Sequence, residues 1–294
     1  MAKIKNMKIN FVLILWIAFG LCTAHAASSK AKICIVHATD WDETRFGAFP
    51  WPRKVHADLV EKLQTANPKL IVLKYLFDQP SAQPENDQRL MEALEKNKNV
   101  ILPFSGTLAM TETPANMELA KDYRIKDESK TTRFLSFANC AYPIEMLALH
   151  SNGVGSFDVN TEPLLTQLPA VVKVSGQLYP SLPLIIVAKA LGYSCRDITA
   201  YDGKLKLGSK TILMDSTGSI QPEFTPPGKL YKTYTYSDIL DSHFKPEDLK
   251  DSIIIIGYNG TRFPVNLKTK ASNNHNGSDI NADGVRALLM EVSR

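Results

Sequence analysis

After residue 26 the chain has no apolar run long enough for a bilayer span, which takes about 20 residues. Its longest runs, LPLIIVAKAL and SIIIIGY, have the length of core elements. Cysteine is scarce: there are four in 294 residues, and Cys22 lies in the N-terminal apolar run. Cys34, Cys140 and Cys195 form no CxxC pair, which excludes a zinc ribbon or a disulfide framework. A Cys140–Cys195 bridge stays open, while Cys34 reads as a small buried hydrophobe. Charge of one sign is also missing. Lys and Arg number 34 against 30 Asp and Glu, without a basic cluster, so nucleic acid is not an expected partner. There is no Gly-x-Ser-x-Gly elbow and no phosphate-cradling glycine loop. HADLV at 56–60 lacks the acid and second histidine of a zinc-binding HExxH. No cofactor and no metal are expected, and the chain does not read as an enzyme.

What is present begins with a leader. Lys3, Lys5 and Lys8 precede FVLILWIAFGLC, and Thr23-Ala-His-Ala26 supplies a small-residue cleavage site. A signal peptide over 1–26 is expected, with an uncleaved N-terminal anchor as the alternative. Leu21 is too large for the residue before a lipidated Cys22. Removing the three lysines from the formal +4 leaves +1. The mature protein, 27–294, is therefore expected in the periplasm or secreted. At 44% hydrophobic and 22% charged it can bury a proper core.

Short β-branched runs alternate with helical periodicity. KICIVHATD (32–40), KLIVLKYLF (69–77) and NVILPF (99–104) read as buried strands. Between them, Pro52 opens a helix with Val55, Leu59, Val60 and Leu63 on its apolar face, and Asp87 to Lys96 carries a second. Strand–helix–strand units of this length form right-handed crossovers. The expected fold is α/β, with a mostly parallel central sheet flanked by helices in a single domain. Residues 105–133 read as an exposed excursion with one short helix around 116–121. Further on, Pro183 opens a helix closed by Gly192, TILMDS (211–216) and SIIIIGY (252–258) read as buried strands, SDILDSHF as a short helix between them, and 282–292 as a closing helix.

PWPRKVHADLVEKL, LFDQP with Asp87-Gln-Arg-Leu, GQLYPSLPL, YTYSDIL, DSIIIIGYNG and GSDINADGVRALL occur in that order. Together they make the chain resemble CHASE type 2 domains, the second type of cyclase- and histidine-kinase-associated sensory extracellular domain. The resemblance implies an extracytoplasmic sensory module of bacterial signal transduction, with a membrane kinase or cyclase as its partner. Family members usually continue into membrane helices and a cytoplasmic output domain, and this chain stops at Arg294 with neither. It also departs in detail: Lys74 stands where the family usually has an acid, Asn281 where it usually has histidine, and NTEPLLTQLP replaces an Asp-x-Asp-Gly turn.

In a parallel sheet, ligands gather at the carboxyl ends of strands. The expected ligand-binding set is His37 and Asp40 after the first strand, Arg53 and His56 at the next helix start, and Lys74 at the end of the second strand, with Trp41 and Trp51 as apolar walls. Lys74 and a helix N-terminus favour an anionic small ligand. The competing account is a packing hinge, in which Arg53 pairs with Asp40 or Asp42, His56 is a satisfied buried imidazole and Trp51 anchors the helix entry. Asp40, Asp42 and Glu43 read as solvated acids. Asp279-Ile-Asn281-Ala-Asp283-Gly284 matches half a calcium loop, but Met290 stands where the closing carboxylate belongs, so a helix is expected there. The leading function is a ligand-binding sensor; the alternatives are an interaction or structural envelope protein without a small-molecule site, or an exported hydrolase.

Overall fold

The computed structural model describes residues 31–108, 119–160, 163–263 and 266–294, and the expected leader over 1–26 lies outside the described residues. The first units are β1 (Ile33–Ala38), α1 (Asp40–Phe46), α2 (Arg53–Gln64), β2 (Leu70–Leu73), α3 (Pro84–Asn97) and β3 (Val100–Thr107). All but α1 match the expected alternation. Helix α1 occupies the stretch expected as an acidic loop. Thr39 and Asp42 form a capping box, and Asp40, Asp42 and Glu43 complement the positive helix start.

Among the described residues the central sheet has seven strands. Its order is Lys232–Thr235, β1, Ile253–Tyr258, β2 and β3, with Asn139–Ala141 and Gly153–Ser156 both pairing with β3. Every pairing is parallel except that of β3 with Asn139–Ala141. The strand at 253–258 enters between β1 and β2 although it is remote from both in sequence. Register places Ile35 beside Ile255, and Ile255 beside Val72. One row further along, His37 lies beside Gly257.

Strand alternation sorts side chains into two layers. Ile33, Ile35, Leu70, Val72, Ile253 and Ile255 pack with the helices Leu182–Ala190 and Gly277–Val292. Cys34, Val36, Ile71, Leu73, Ile254 and Ile256 pack with α2 and α3 on the other face. Asn276 caps the closing helix, its Oδ1 accepting from Ser278 N and Asp279 N. That helix runs over Gly277–Val292, so the half-match to a calcium loop is helical, as expected.

Two details differ from expectation. The run at 211–216 is not a buried central strand. Its ordered part, Lys210–Leu213, is the edge of a separate four-stranded sheet with Ile198–Tyr201 and Lys204–Leu207, and Leu213 is exposed. The short helix expected at 116–121 falls partly outside the described residues; Leu119–Tyr123 form a 3-10 turn. Cys34 and Cys195 are free buried thiols, so a Cys140–Cys195 bridge is not formed in this structure.

Candidate functional site

The five sequence-predicted residues do not converge on one rim, because they belong to opposite faces of the sheet. His37 continues the Ile33–Ile35 side of β1, and Lys74 continues the Leu70–Val72 side beyond β2. Both therefore lie on the face covered by the closing helix. Arg53 and His56 sit on α2, across the sheet.

On the α2 side Arg53, His56 and Trp51 each have a structural partner. Arg53 is buried and pairs with Asp87, Nη1 to Oδ1 at 2.5 Å, while Nη2 donates to the carbonyl of Gln79. The partner is Asp87 rather than the expected Asp40 or Asp42. His56 is fully enclosed, with Nδ1 2.8 Å from the Tyr236 hydroxyl. Burial, reinforced by Arg53, pushes its pKa down to about 3, so the imidazole is neutral at pH 7. Trp51 Nε1 donates to the Gly47 carbonyl and anchors the entry to α2.

The acids after β1 are engaged locally. Asp42 is buried; one oxygen caps Thr39 and the other accepts from Ser237 N and Oγ. Asp40 Oδ1 accepts from Thr261 N at 2.8 Å. Glu43 accepts from the Tyr258 hydroxyl and lies 3.7 Å from Arg262. Trp41 is 74% exposed and walls no cleft.

The closing-helix side is different. Gly257 separates His37 from the chain at Lys74, and a side chain there would collide with Ser278 Oγ. The absent side chain lets the first turn of the closing helix settle directly on the strand end. Lys74 reaches along this turn: a Cβ on Gly277 would lie 2.5 Å from its Nζ. The ammonium sits over the Phe157 ring at 5.1 Å. Among the described residues no carboxylate comes within ion-pair distance of Lys74. Desolvation lowers its pKa to about 8.

Next to Lys74, His37 is 7% exposed, its Nε2 is 4.0 Å from Asp279 Oδ2, and its Nδ1 has no partner among the described residues. Burial lowers the pKa of His37 and raises that of Asp279, each opposed by the attraction between them. Beyond Phe157 lies a shallow cleft with only about 10 Å³ of free space, lined by Ser156, Asp158, Pro169, Ser181 and Asn281. Asp158 accepts from Ser105 Oγ, Gly106 N and Ser156 Oγ, fixing that wall. Ser105, Ser156 and Asp158 escaped the sequence reading. Ser105 lies on β3 and Ser156 on its neighbour at 153–156, with Asp158 just beyond, and no local pattern announces that pairing.

No curated protein matches the chain, and no solved structure does. A family profile, the CHASE2 domain, matches residues 11–294. That span covers nearly the whole chain, and the chain belongs to the CHASE2 family of extracellular sensory domains.

Proposed function

We propose that this chain is an extracytoplasmic, non-enzymatic sensor that binds a small anion at the carboxyl ends of β1 and β2, beneath the N-terminus of the closing helix. One observation carries the reading: Lys74 is a desolvated cation directed at a helix start, with no carboxylate to neutralise it among the described residues. A cation in that place raises the energy of the empty protein, and an anion relieves it. The unpartnered, buried Nδ1 of His37 beside the same helical turn is a second sign of an unfinished site. Arg53, His56 and Asp40 act as structural supports in this reading, and the acids a hydrolase would need are engaged in capping and loop contacts. CHASE2 domains are associated with signalling proteins such as kinases and cyclases, which supports a membrane protein of that kind as the partner.

Thermal-shift titration with sulfate, phosphate and acetate tests the site. The wild type should be stabilised by at least one of these anions, and Lys74→Met should abolish the shift without lowering the melting temperature of the free protein. An unchanged shift in Lys74→Met would reject this location.

A further inference from the structure

Asp279 and Asp283 lie four residues apart on the buried side of the closing helix, and each faces a buried imidazole. His37 Nε2 is 4.0 Å from Asp279, and His275 Nε2 is 3.8 Å from Asp283. Both separations are too long for hydrogen bonds. The two carboxylates are served very differently. Asp283 accepts from Thr225 N, Thr225 Oγ1 and the Tyr231 hydroxyl, with Arg286 3.7 Å away. Among the described residues, Asp279 accepts only from the side-chain amide of Asn276. It is 3% exposed and stands in the first helical turn, two residues from the Gly277 position that Lys74 approaches.

The surroundings of the His37–Asp279 pair define its charge balance. On the strand at 253–258 it meets the backbone of Gly257; just beyond β2 the nearby ionisable group is Lys74. His275 precedes the helix, and its Nδ1 is held by Thr269 Oγ1 at 3.0 Å. Along the helix, Asp283 acts on Asp279, and Arg286 and Tyr231 are taken up by Asp283.

We infer that the His37–Asp279 pair takes up a proton when an anion binds at Lys74, so that the site responds to anion and acidity together. This rests on the reading of Lys74 as the anion site. If His37 is neutral and Asp279 ionised, the pair carries one negative charge at the helix start, beyond ion-pair distance of Lys74. An incoming anion then meets a buried carboxylate competing for the same positive field. One proton, on either member, makes the pair neutral and leaves that field to the ligand. Linkage makes the effect reciprocal: the factor by which the proton strengthens anion binding is the factor by which the anion strengthens proton binding. Asn276 already caps Ser278 N and Asp279 N, so the helix start offers its field more than free donors, and the charge of the pair matters correspondingly more.

Sulfate is a suitable probe because it remains fully ionised at mildly acidic and neutral pH, where Lys74 also stays protonated. Calorimetric titration of sulfate into the full chain, in two buffers of different ionisation enthalpy, reads both affinity and proton uptake. Between about pH 5.5 and pH 7 the wild type should take up close to one proton per sulfate and lose affinity about thirtyfold as pH rises. Asp279→Asn should take up none and bind sulfate at pH 7 as tightly as the wild type does at the lower pH. His275→Gln should keep the wild-type behaviour. Sulfate binding without proton uptake, or uptake retained in Asp279→Asn or lost in His275→Gln, overturns the inference and leaves the anion site standing. Sulfate binding that survives Lys74→Met, or no sulfate binding by the wild type, overturns the anion site as well. Circular dichroism of each variant checks that it folds, and His37→Gln supplies a second removal of the pair if Asp279→Asn does not.

Discussion

Replacing Arg53 with methionine should destabilise the protein by about 3–5 kcal/mol, because it leaves the Asp87 carboxylate buried and uncompensated. Arg53 is 9% exposed and Asp87 4%. Asp87 Oδ1 faces the guanidinium at 2.5 Å, and among the described residues Oδ2 accepts only from Ser81 N, at 2.9 Å. Methionine keeps most of the apolar stem but loses the guanidinium's place over the Phe77 ring, 5.1 Å from its centroid, a smaller contribution beside that of the isolated carboxylate. For a domain of this size each kcal/mol moves the midpoint by roughly 2–4 °C, giving an expected fall of about 6–20 °C. Chemical denaturation gives the free energy directly. A buried pair is costly to break and cheap to replace, so Arg53→Met/Asp87→Leu should recover all but about 1–2 kcal/mol. The residue of the loss reflects Ser81 N and the Gln79 carbonyl, which the double variant leaves without these side-chain partners. A single variant within about 1 kcal/mol of wild type would refute the structural role. If it also abolished the anion response, the five-residue rim would be restored as the better account.

Gly155→Ala should destabilise by about 1–3 kcal/mol in chemical denaturation, because the new Cβ would lie 2.9 Å from the Ser181 carbonyl oxygen and 3.0 Å from Leu182 Cα, both backbone atoms. Lys74→Met should stabilise the free protein at pH 7 by up to about 3 kcal/mol. The folded-state pKa of about 8 lies below the unfolded value, so the folded wild type binds fewer protons between them and gains stability as pH rises through that window. The advantage of Lys74→Met should therefore shrink from pH 8 upward, as melting curves at neutral and alkaline pH would show, and a constant difference would contradict the lowered pKa. His56, held neutral down to about pH 3, makes the protein lose stability as pH falls below the ordinary histidine range. His56→Phe should reduce that acid slope by about one proton, measured as the pH dependence of the unfolding free energy.

The alternation of β1, α2, β2, α3 and β3 was legible because each unit is short, apolar and internally periodic. Helix α1 was missed although its signal was present: Thr39 and Asp42 have the spacing of a cap, but three acids near a strand end resemble a solvated loop. The alternation Lys204-Leu-Lys-Leu207 marks a strand with one wet face, and its antiparallel hairpin makes Lys210–Leu213 the edge of that peripheral sheet. The partner of Arg53 was not legible in the same way. Asp40 and Asp42 are near in sequence, whereas Asp87 reaches Arg53 only after β2 and α3 fold back across α2. The place of the 253–258 strand between β1 and β2 is likewise a long-range outcome, and it creates the Gly257 gap on which the candidate site depends.

The difference between Arg53 and Lys74 shows where selection for stability stops. Both side chains lie near strand ends and helix starts, so composition and local pattern make them equivalent. Arg53 lies over the Phe77 ring and has a carboxylate and a carbonyl as acceptors. Lys74 has an aromatic face, a helix start and, among the described residues, no counter-charge. An apolar residue would fill the place of Lys74 without the desolvation that lowers its pKa. A cation retained there lowers stability in the free state, which is the pattern expected when a charge serves binding instead of folding. Strand parity gives the contrast its geometry. One face of the sheet holds the paired, neutral and capped groups that make α2 and α3 a rigid support. The other sets a cation with no ion-pair partner among the described residues against the closing helix, whose first turn carries Asp279 facing His37 of β1. On the proposed reading, an anion bound at Lys74 would act on the closing helix directly, with no relay through the opposite layer.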